Sequence, residues 1–320
     1  MDRSGDVFSR GAFRASLLLL PSLLLFTACQ GGGGDVVAEA PETEPRIVAI
    51  GDLHGDLNAA RAALRLAGAI GSEDEWVGGD LTVVQTGDIL DRGDDESEIM
   101  ELFDRLKGEA AAAGGAVYVL SGNHELMNAY LDFRYVTEGG FAEFEGETEV
   151  DLSDSVMASL EPAHRSRAAA FRPGGSLARR VADQPLTLVL GETVFTHAGV
   201  LPQHVDLGLD RMNSDVRAWL LAQAPQPEWI RGDASPVWNR VYSGEPSVEA
   251  CDTLELVLDR LGLERMVVGH TVQDAGVTAY CGGRLWCIDV GLAAHYGGRP
   301  EVLEIRGEAV KSLRSASTSY

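Results

Sequence analysis

The chain has 320 residues, 45% of them hydrophobic, with 26 Lys and Arg set against 49 Asp and Glu for a formal charge of −23. That length and apolar content suffice for a substantial buried core. The charge excludes a uniformly basic nucleic-acid-binding surface, because phosphate contacts need clustered Lys and Arg, although metals and a few arginines can reverse the sign locally.

At the N-terminus, Arg3, Arg10 and Arg14 precede an apolar run from Leu17 to Phe26 that ends in Thr27-Ala28-Cys29. The run is shorter than the ~20 residues a membrane span needs. Residues 1–28 therefore read as a signal peptide with a short apolar centre. Leu25-Phe26-Thr27-Ala28-Cys29 also resembles the lipobox of bacterial lipoproteins, with Phe26 where Leu is usual. The resemblance makes Cys29 the lipidated first mature residue; ordinary cleavage to a soluble protein is the alternative. Residues 29–45, with Gly31 to Gly34 followed by Ala, Glu and Pro, read as a flexible linker. The expected location is the cell envelope or periplasm, with the membrane reached only through the N-terminal lipid. Cys251, Cys281 and Cys287 follow; export permits one pair, and the sequence leaves open which pair forms or whether all stay thiols.

The elements then come in regular order. Arg46 to Ile50 is an apolar strand, and Leu57 to Leu66 a helix with Leu57, Ala60, Leu64 and Ala67 on one face. A strand at Leu81 to Thr86, a helix across Asp94 to Ala113 and a strand at Val117 to Leu120 complete a β-α-β-α-β unit, the pattern of a largely parallel sheet. Residues 131–185 break this regularity with Gly139-Gly140, Pro162 and Pro173-Gly174-Gly175. They read as an irregular, partly helical insertion, serving as a lid or substrate-recognition segment or as a plain helical decoration. Strands resume at 186–190 and 193–196, helices at 213–222 and 248–261, and a strand at 266–268. Late strands near 277–280, 284–290 and 302–305 suggest a second sheet, and 307–320 reads as a C-terminal tail.

Chemistry-bearing residues fall just beyond strand ends. Asp52 and His54 follow the first strand, Asp88 the second and Asn123 the third, with His197 and His270 after two more. Asp52 and His54, two apart, can project to one side and grip one ion. Open α/β sheets place their sites at the carboxyl ends of strands. Carboxylate, imidazole and amide donors without thiolates suit Mn, Fe or Zn. A single Asp or His at such a place is usually a satisfied polar residue; several at successive strand ends imply a metal site, with Asp88 bridging two ions.

Gly51-Asp52-x-His54-Gly55, Gly87-Asp88-x-x-Asp91-Arg92-Gly93 and Gly122-Asn123-His124-Glu125 resemble the signature blocks of calcineurin-like metallophosphoesterases, and Asp91-Arg92-Gly93 resembles the phosphoprotein phosphatase branch. Gly122 to Asn128, Phe133-Arg134-Tyr135-Val136, Phe171 to Gly175 and Val267 to Gln273 are similar to the Shewanella-like (bacterial-type) protein phosphatases. The resemblance spans roughly residues 46–306. It departs at Ala198 in Thr196-His197-Ala198-Gly199, where the family usually has Gly. The implied fold is α/β, a four-layer αββα sandwich of two mixed sheets flanked by helices.

The resemblance implies two divalent or trivalent ions (Mn, Fe or Zn). Asp52, His54 and Asp88 would hold the first, and Asp88, Asn123, His197 and His270 the second. Such a pair can share a hydroxide that attacks phosphorus in line. His124 is implied as the general acid, oriented by Asp91, with a supporting role for Asn123 as its alternative. Arg92 would grip the phosphate. Arg240 and Arg134 are candidates for a second phosphate contact, each equally readable as a surface ion pair. Glu125 reads as a loop-fixing residue, while His164, His204 and His295 carry no assigned role. The expected activity is phosphomonoester hydrolysis, on phosphorylated proteins with a lean to phosphotyrosine or on a small phosphomonoester. Hydrolysis of diadenosine polyphosphates or other phosphoanhydrides is a rival, as is a non-catalytic metal- and phosphate-binding lipoprotein. Nucleic acid is not an expected partner.

Overall fold

The computed structural model describes residues 44–315. The signal peptide expected at 1–28, Cys29, most of the linker and residues 316–320 lie outside the described residues. Apolar β-branched runs form the centre of the first sheet: β1 (Arg46–Ile50), β2 (Thr82–Gln85) and β3 (Ala116–Val119) run parallel. Their crossovers are α1 (Leu57–Ala67) and α2 (Glu96–Ala112). Local chemistry sets the ends of α1. The Asp56 carboxylate accepts the Ala59 N–H at 2.9 Å at its start, and Gly68, at φ 71°, stops it in the left-handed region that glycine tolerates. Ala60, Ala63, Leu64 and Ala67 form its buried stripe.

Between β3 and the second sheet lie α3 (Asn123–Ala129), α4 (Glu138–Ala142), α5 (Ser155–Ser159), α6 (Arg165–Phe171) and α7 (Ser176–Val181), the last four of them short helices of the 131–185 segment. The second sheet has the order β4 (Thr187–Leu190), β5 (Thr193–Thr196), β6 (Arg265–Val268), β8 (Leu285–Cys287), β7 (Thr278–Tyr280). Here β5, β6 and β8 are parallel, and β4 and β7 are antiparallel edges. Helices α8 (Pro202–Leu207), α9 (Leu209–Leu220) and α10 (Val248–Leu261) connect β5 to β6.

The two sheets share a core. Ile50, Val83, Phe195, Val267 and Ile288 belong to one buried cluster, whereas the alternate residues Val194, Met266 and Val268 join Leu254, Val257 and Leu258 of α10 in another. Strands buried on both faces explain why their sequences are continuously apolar. This is the four-layer αββα sandwich. Cys251, at the start of α10, is disulfide-bonded to Cys281 after β7, and Cys287 is a buried thiol.

Two expectations about the C-terminal region are corrected. The strand near 302–305, β9 (Glu301–Arg306), does not join the second sheet; it pairs antiparallel with β1 in the first. The segment from 307 is not all tail, because β10 (Ala309–Arg314) pairs with β9 and closes the order β10-β9-β1-β2-β3. Gly307, at φ 53°, makes the hairpin turn, and Glu304 draws the strands together by pairing with Arg46 at 2.5 Å and Lys311 at 2.9 Å.

The carboxyl ends of the two parallel strand sets abut at Gly51. A Cβ there would stand 2.4 Å from the Ile288 carbonyl oxygen just past β8. Gly51→Ala is expected to cost about 1–3 kcal/mol by overpacking. Thermal denaturation of the purified variant reads this as a lowered Tm; an unchanged Tm would contradict a fixed contact between the strand ends.

Candidate active site

The site lies where the strand ends of both sheets meet, and the loops there adopt costly backbone conformations. His54, Asp88, Asp91, Arg92 and His270 all have φ between 46° and 75°, the left-handed region that non-glycine residues seldom enter. Buried polar bonds hold them. The carboxylate of Glu125, on α3, accepts the Asp88 N–H at 2.9 Å and the Gly122 N–H at 2.7 Å through Oε2, and the Ile89 and Leu90 N–H groups at 2.9 and 3.3 Å through Oε1. The Asp88 carbonyl accepts from Leu53 N and His54 N, both at 3.0 Å, and so ties the first loop to the second. A Cβ on Gly122 would lie 2.1 Å from Asp88 Oδ1, which fixes glycine as the residue beside Asn123.

Asp52, His54, Asp88, Asn123, His124 and His197 are each at most 5% exposed, and His270 is partly buried. They converge on Asp88. Its Oδ2 lies 3.2 Å from His197 Nε2, 3.7 Å from His124 Nε2 and 3.9 Å from His54 Nε2. Asp52 Oδ2 lies 3.9 Å from His54 Nε2, and its carboxylate accepts the His270 N–H at 3.1 Å. Two donor clusters emerge, His54–Asp88–His124 and Asp88–His197–His270, with the donor atoms of each within 4.8 Å of one another and Asp88 common to both.

The donor chemistry fits a cation. The Nδ1 of His54 meets the Leu90 carbonyl at 3.2 Å, and that of His197 meets the Thr86 carbonyl at 3.0 Å. A carbonyl only accepts, so both Nδ1 atoms carry hydrogen, and in the neutral rings both Nε2 lone pairs face Asp88. His197 Nε2 also faces Asn123 Oδ1 at 3.0 Å, and His270 Nε2 is buried with no partner. Positive charge among acceptors crowded in this way relieves their repulsion. Burial, helped by neighbouring histidines, pushes His54 and His270 down to about 3, leaving neutral ligand-competent imidazoles. His197 moves the other way: burial opposes its charge, but Asp88 beside it outweighs burial and raises its pKa. Burial and the nearby Asp289 and Asp88 charges raise Asp52, a cost that a cation would remove.

His124 is held differently. Its Nδ1 lies 2.6 Å from Asp91 Oδ2, which leaves Nε2 toward the cleft. Burial opposes protonation, but Asp88 and Asp91 together hold its pKa above the usual value. Arg92 lines the cleft, its guanidinium 4.0 Å from the centre of the Tyr135 ring and its Nε buried without a partner. Arg240 lines the same cleft and donates to Thr271 Oγ1 at 2.7 Å. For Arg134 the structure shows the surface ion pair: its side chain is 65% exposed and pairs with Asp132 at 2.5 Å, away from the cleft-lining residues.

The cleft encloses about 260 Å³, with Tyr135, Trp238 and Tyr296 among its walls. None of these aromatics stands out in sequence as a site residue. Asp289 was also missed. It is 2% exposed, stands two residues beyond β8 and lines the same cleft, and burial pushes it up to about 6. The signal for it was present, an acid after an apolar strand in Leu285-Trp286-Cys287-Ile288-Asp289.

Residues 45–274 match the calcineurin-like phosphoesterase family. The chain is 40% identical over 314 residues to Shewanella-like protein phosphatase 2 of Arabidopsis thaliana, a match covering 88% of this chain and 80% of that protein. It is 27% identical over 282 residues to Shewanella-like protein phosphatase 1 of Plasmodium berghei, covering 84% and 74%. Among solved structures, the cold-active protein-tyrosine phosphatase of a psychrophilic Shewanella has the same fold, with a TM-score of 0.67 and 23% identity over 85% of this chain and 81% of that one. The chain therefore belongs to the calcineurin-like phosphoesterases and, within them, to the Shewanella-like protein phosphatases.

Proposed function

We propose that this metal-dependent phosphatase hydrolyses phosphate monoesters through two ions that share Asp88, and that phosphorylated proteins, phosphotyrosine foremost, are its substrates. The observation that carries the reading is the convergence of His54, His124 and His197 Nε2 atoms on one Asp88 carboxylate oxygen. Asp52, His54 and Asp88 would hold one ion, and Asp88, Asn123, His197 and His270 the other, with Mn, Fe and Zn all suited to these donors. When bound, the ions supply the charge that activates a water and neutralises the phosphoryl oxygens.

The protein's own residues do the rest. Arg92 and Arg240 stand on the cleft wall to bind the phosphate, and the Tyr135 ring packs against the Arg92 guanidinium. The Asp91 carboxylate fixes which ring nitrogen of His124 faces the cleft and favours its protonated form. His124 Nε2 then delivers a proton to the leaving oxygen as the bond to phosphorus breaks. Proximity alone would admit His124 as a ligand; the resemblance to the phosphoprotein phosphatases favours the acid role. Aromatic walls at Tyr135, Trp238 and Tyr296 suit an aryl ester, and this supports phosphotyrosine over phosphoserine. The leader-like N-terminus and the Cys251–Cys281 disulfide support action in an oxidising compartment outside the cytoplasm.

With Mn²⁺ supplied, turnover of a phosphotyrosine peptide is expected to exceed that of the matching phosphoserine peptide, and p-nitrophenyl phosphate is expected to be cleaved. Turnover of diadenosine tetraphosphate alone would instead establish the phosphoanhydride rival, and no turnover of any substrate would establish the non-catalytic one. His124→Ala is expected to lower kcat on phenyl phosphate by roughly 10²–10⁴-fold while the metal content per chain stays at the wild-type value. Loss of metal with activity would assign His124 to the metal instead.

A further inference from the structure

The segment between β3 and β4 sends one cation into the catalytic loop. Arg167, on α6, is wholly buried at 0% exposure and packs against the rings of Phe144 and Phe171. Its Nη2 donates to Asp91 Oδ1 at 3.1 Å and to Glu96 Oε1 at 3.1 Å. Its Nη1 donates to Glu96 Oε2 at 2.5 Å and to the Gly140 carbonyl at 2.8 Å, and its Nε to Asn128 Oδ1 at 2.7 Å. All three guanidinium nitrogens are engaged, and of the three side chains they meet, those of Asp91, Glu96 and Asn128, the last two are bonded to Asp91 as well. Asn128 Nδ2 donates to the same Asp91 Oδ1 at 2.9 Å, and Glu96 Oε1 accepts the Asp91 N–H at 2.6 Å.

The two carboxylate oxygens of Asp91 thus have separate partners. Oδ2 takes the His124 ring, while Oδ1 takes Arg167 and Asn128. Two buried carboxylates, Asp91 and Glu96, need a compensating cation, and Arg167 is the arginine in contact with both. A planar fork satisfies several fixed oxygens at once, which an ammonium cannot do. We propose that Arg167 is a positioning residue for the proton-donating His124: it fixes the plane and rotation of the Asp91 carboxylate, and through it the direction of the His124 ring. The inserted segment is on this account part of the catalytic apparatus. The proposal rests on the reading of His124 as general acid.

The test compares a leaving group that needs a proton with one that does not. Arg167→Lys keeps the charge and loses the fork. It is expected to lower kcat on phenyl phosphate about 10–100-fold, the scale of a small misplacement of a catalytic group, with 2,4-dinitrophenyl phosphate turned over near the wild-type rate. Glu96→Gln keeps the side-chain volume and loosens the anchor. It is expected to give the same selectivity at smaller amplitude, and it carries the test if the first variant does not fold. In a His124→Ala background, Arg167→Lys is expected to cause no further loss on phenyl phosphate. Equal losses on both substrates, losses that multiply with that of His124→Ala, or no loss at all would each overturn the positioning role. If His124→Ala itself lacked leaving-group selectivity, the acid assignment and this proposal would fall together; selectivity in His124→Ala but not in Arg167→Lys would overturn this proposal alone.

Discussion

Four backbone N–H groups, those of Asp88, Ile89, Leu90 and Gly122, converge on the single carboxylate of Glu125, and the geometry of the site hangs on them. Left-handed backbone at a non-glycine residue costs of order 1–3 kcal/mol, and Asp88 and Asp91 both bear that cost within one loop. Hydrogen bonds to a buried charge are worth about 1.5–3 kcal/mol each, enough to hold such a loop. Glu125 is itself pushed up to about 7 by burial and by the charge of Asp88, against the four donors that favour its ionised form. Positive charge beside Asp88 relieves that repulsion, so the loop geometry and the metal chemistry support each other.

The larger architecture serves the same place. Each sheet contributes three parallel strands, and the loops leaving all six bring Asp52, Asp88, Asn123, His197, His270 and Asp289 to one point. A two-sheet sandwich brings donors to the cleft from the strand ends of both sheets. The loops at the strand ends therefore supply the donors. The irregular segment between β3 and β4 supplies side chains that touch their neighbours: Tyr135 under Arg92, and Arg167 behind Asp91.

Much of this was legible because it is local. A strand, a tight turn and a ligand lie within a few residues, so the blocks around Asp52, Asp88 and Asn123 disclose both the sheet and the donors. Asp289 obeys the same pattern but was absorbed into a strand expected to run from 284 to 290, whereas β8 stops at Cys287 and leaves Asp289 in the loop. The sheet to which β9 belongs depends on pairing between Arg46 and Arg306, a long-range choice that alternation does not encode. Arg167 is hidden among Arg165, Arg172, Arg179 and Arg180; the phase of α6 buries Arg167 and leaves its helix neighbour Arg165 nearer the surface. Arg134 takes the other of its two readings, an ion pair with an acid two residues away at the surface.

The central claim is that one carboxylate serves both ions, and metal content measures it most directly. Elemental analysis of protein loaded with Mn²⁺ and freed of excess is predicted to give about two ions per chain. Asp88→Asn is predicted to lose both, and Asp52→Asn mainly one, each with the fold intact by circular dichroism. A wild-type chain saturating at a single ion, or a folded Asp88→Asn variant that keeps one ion at full occupancy, would contradict the account.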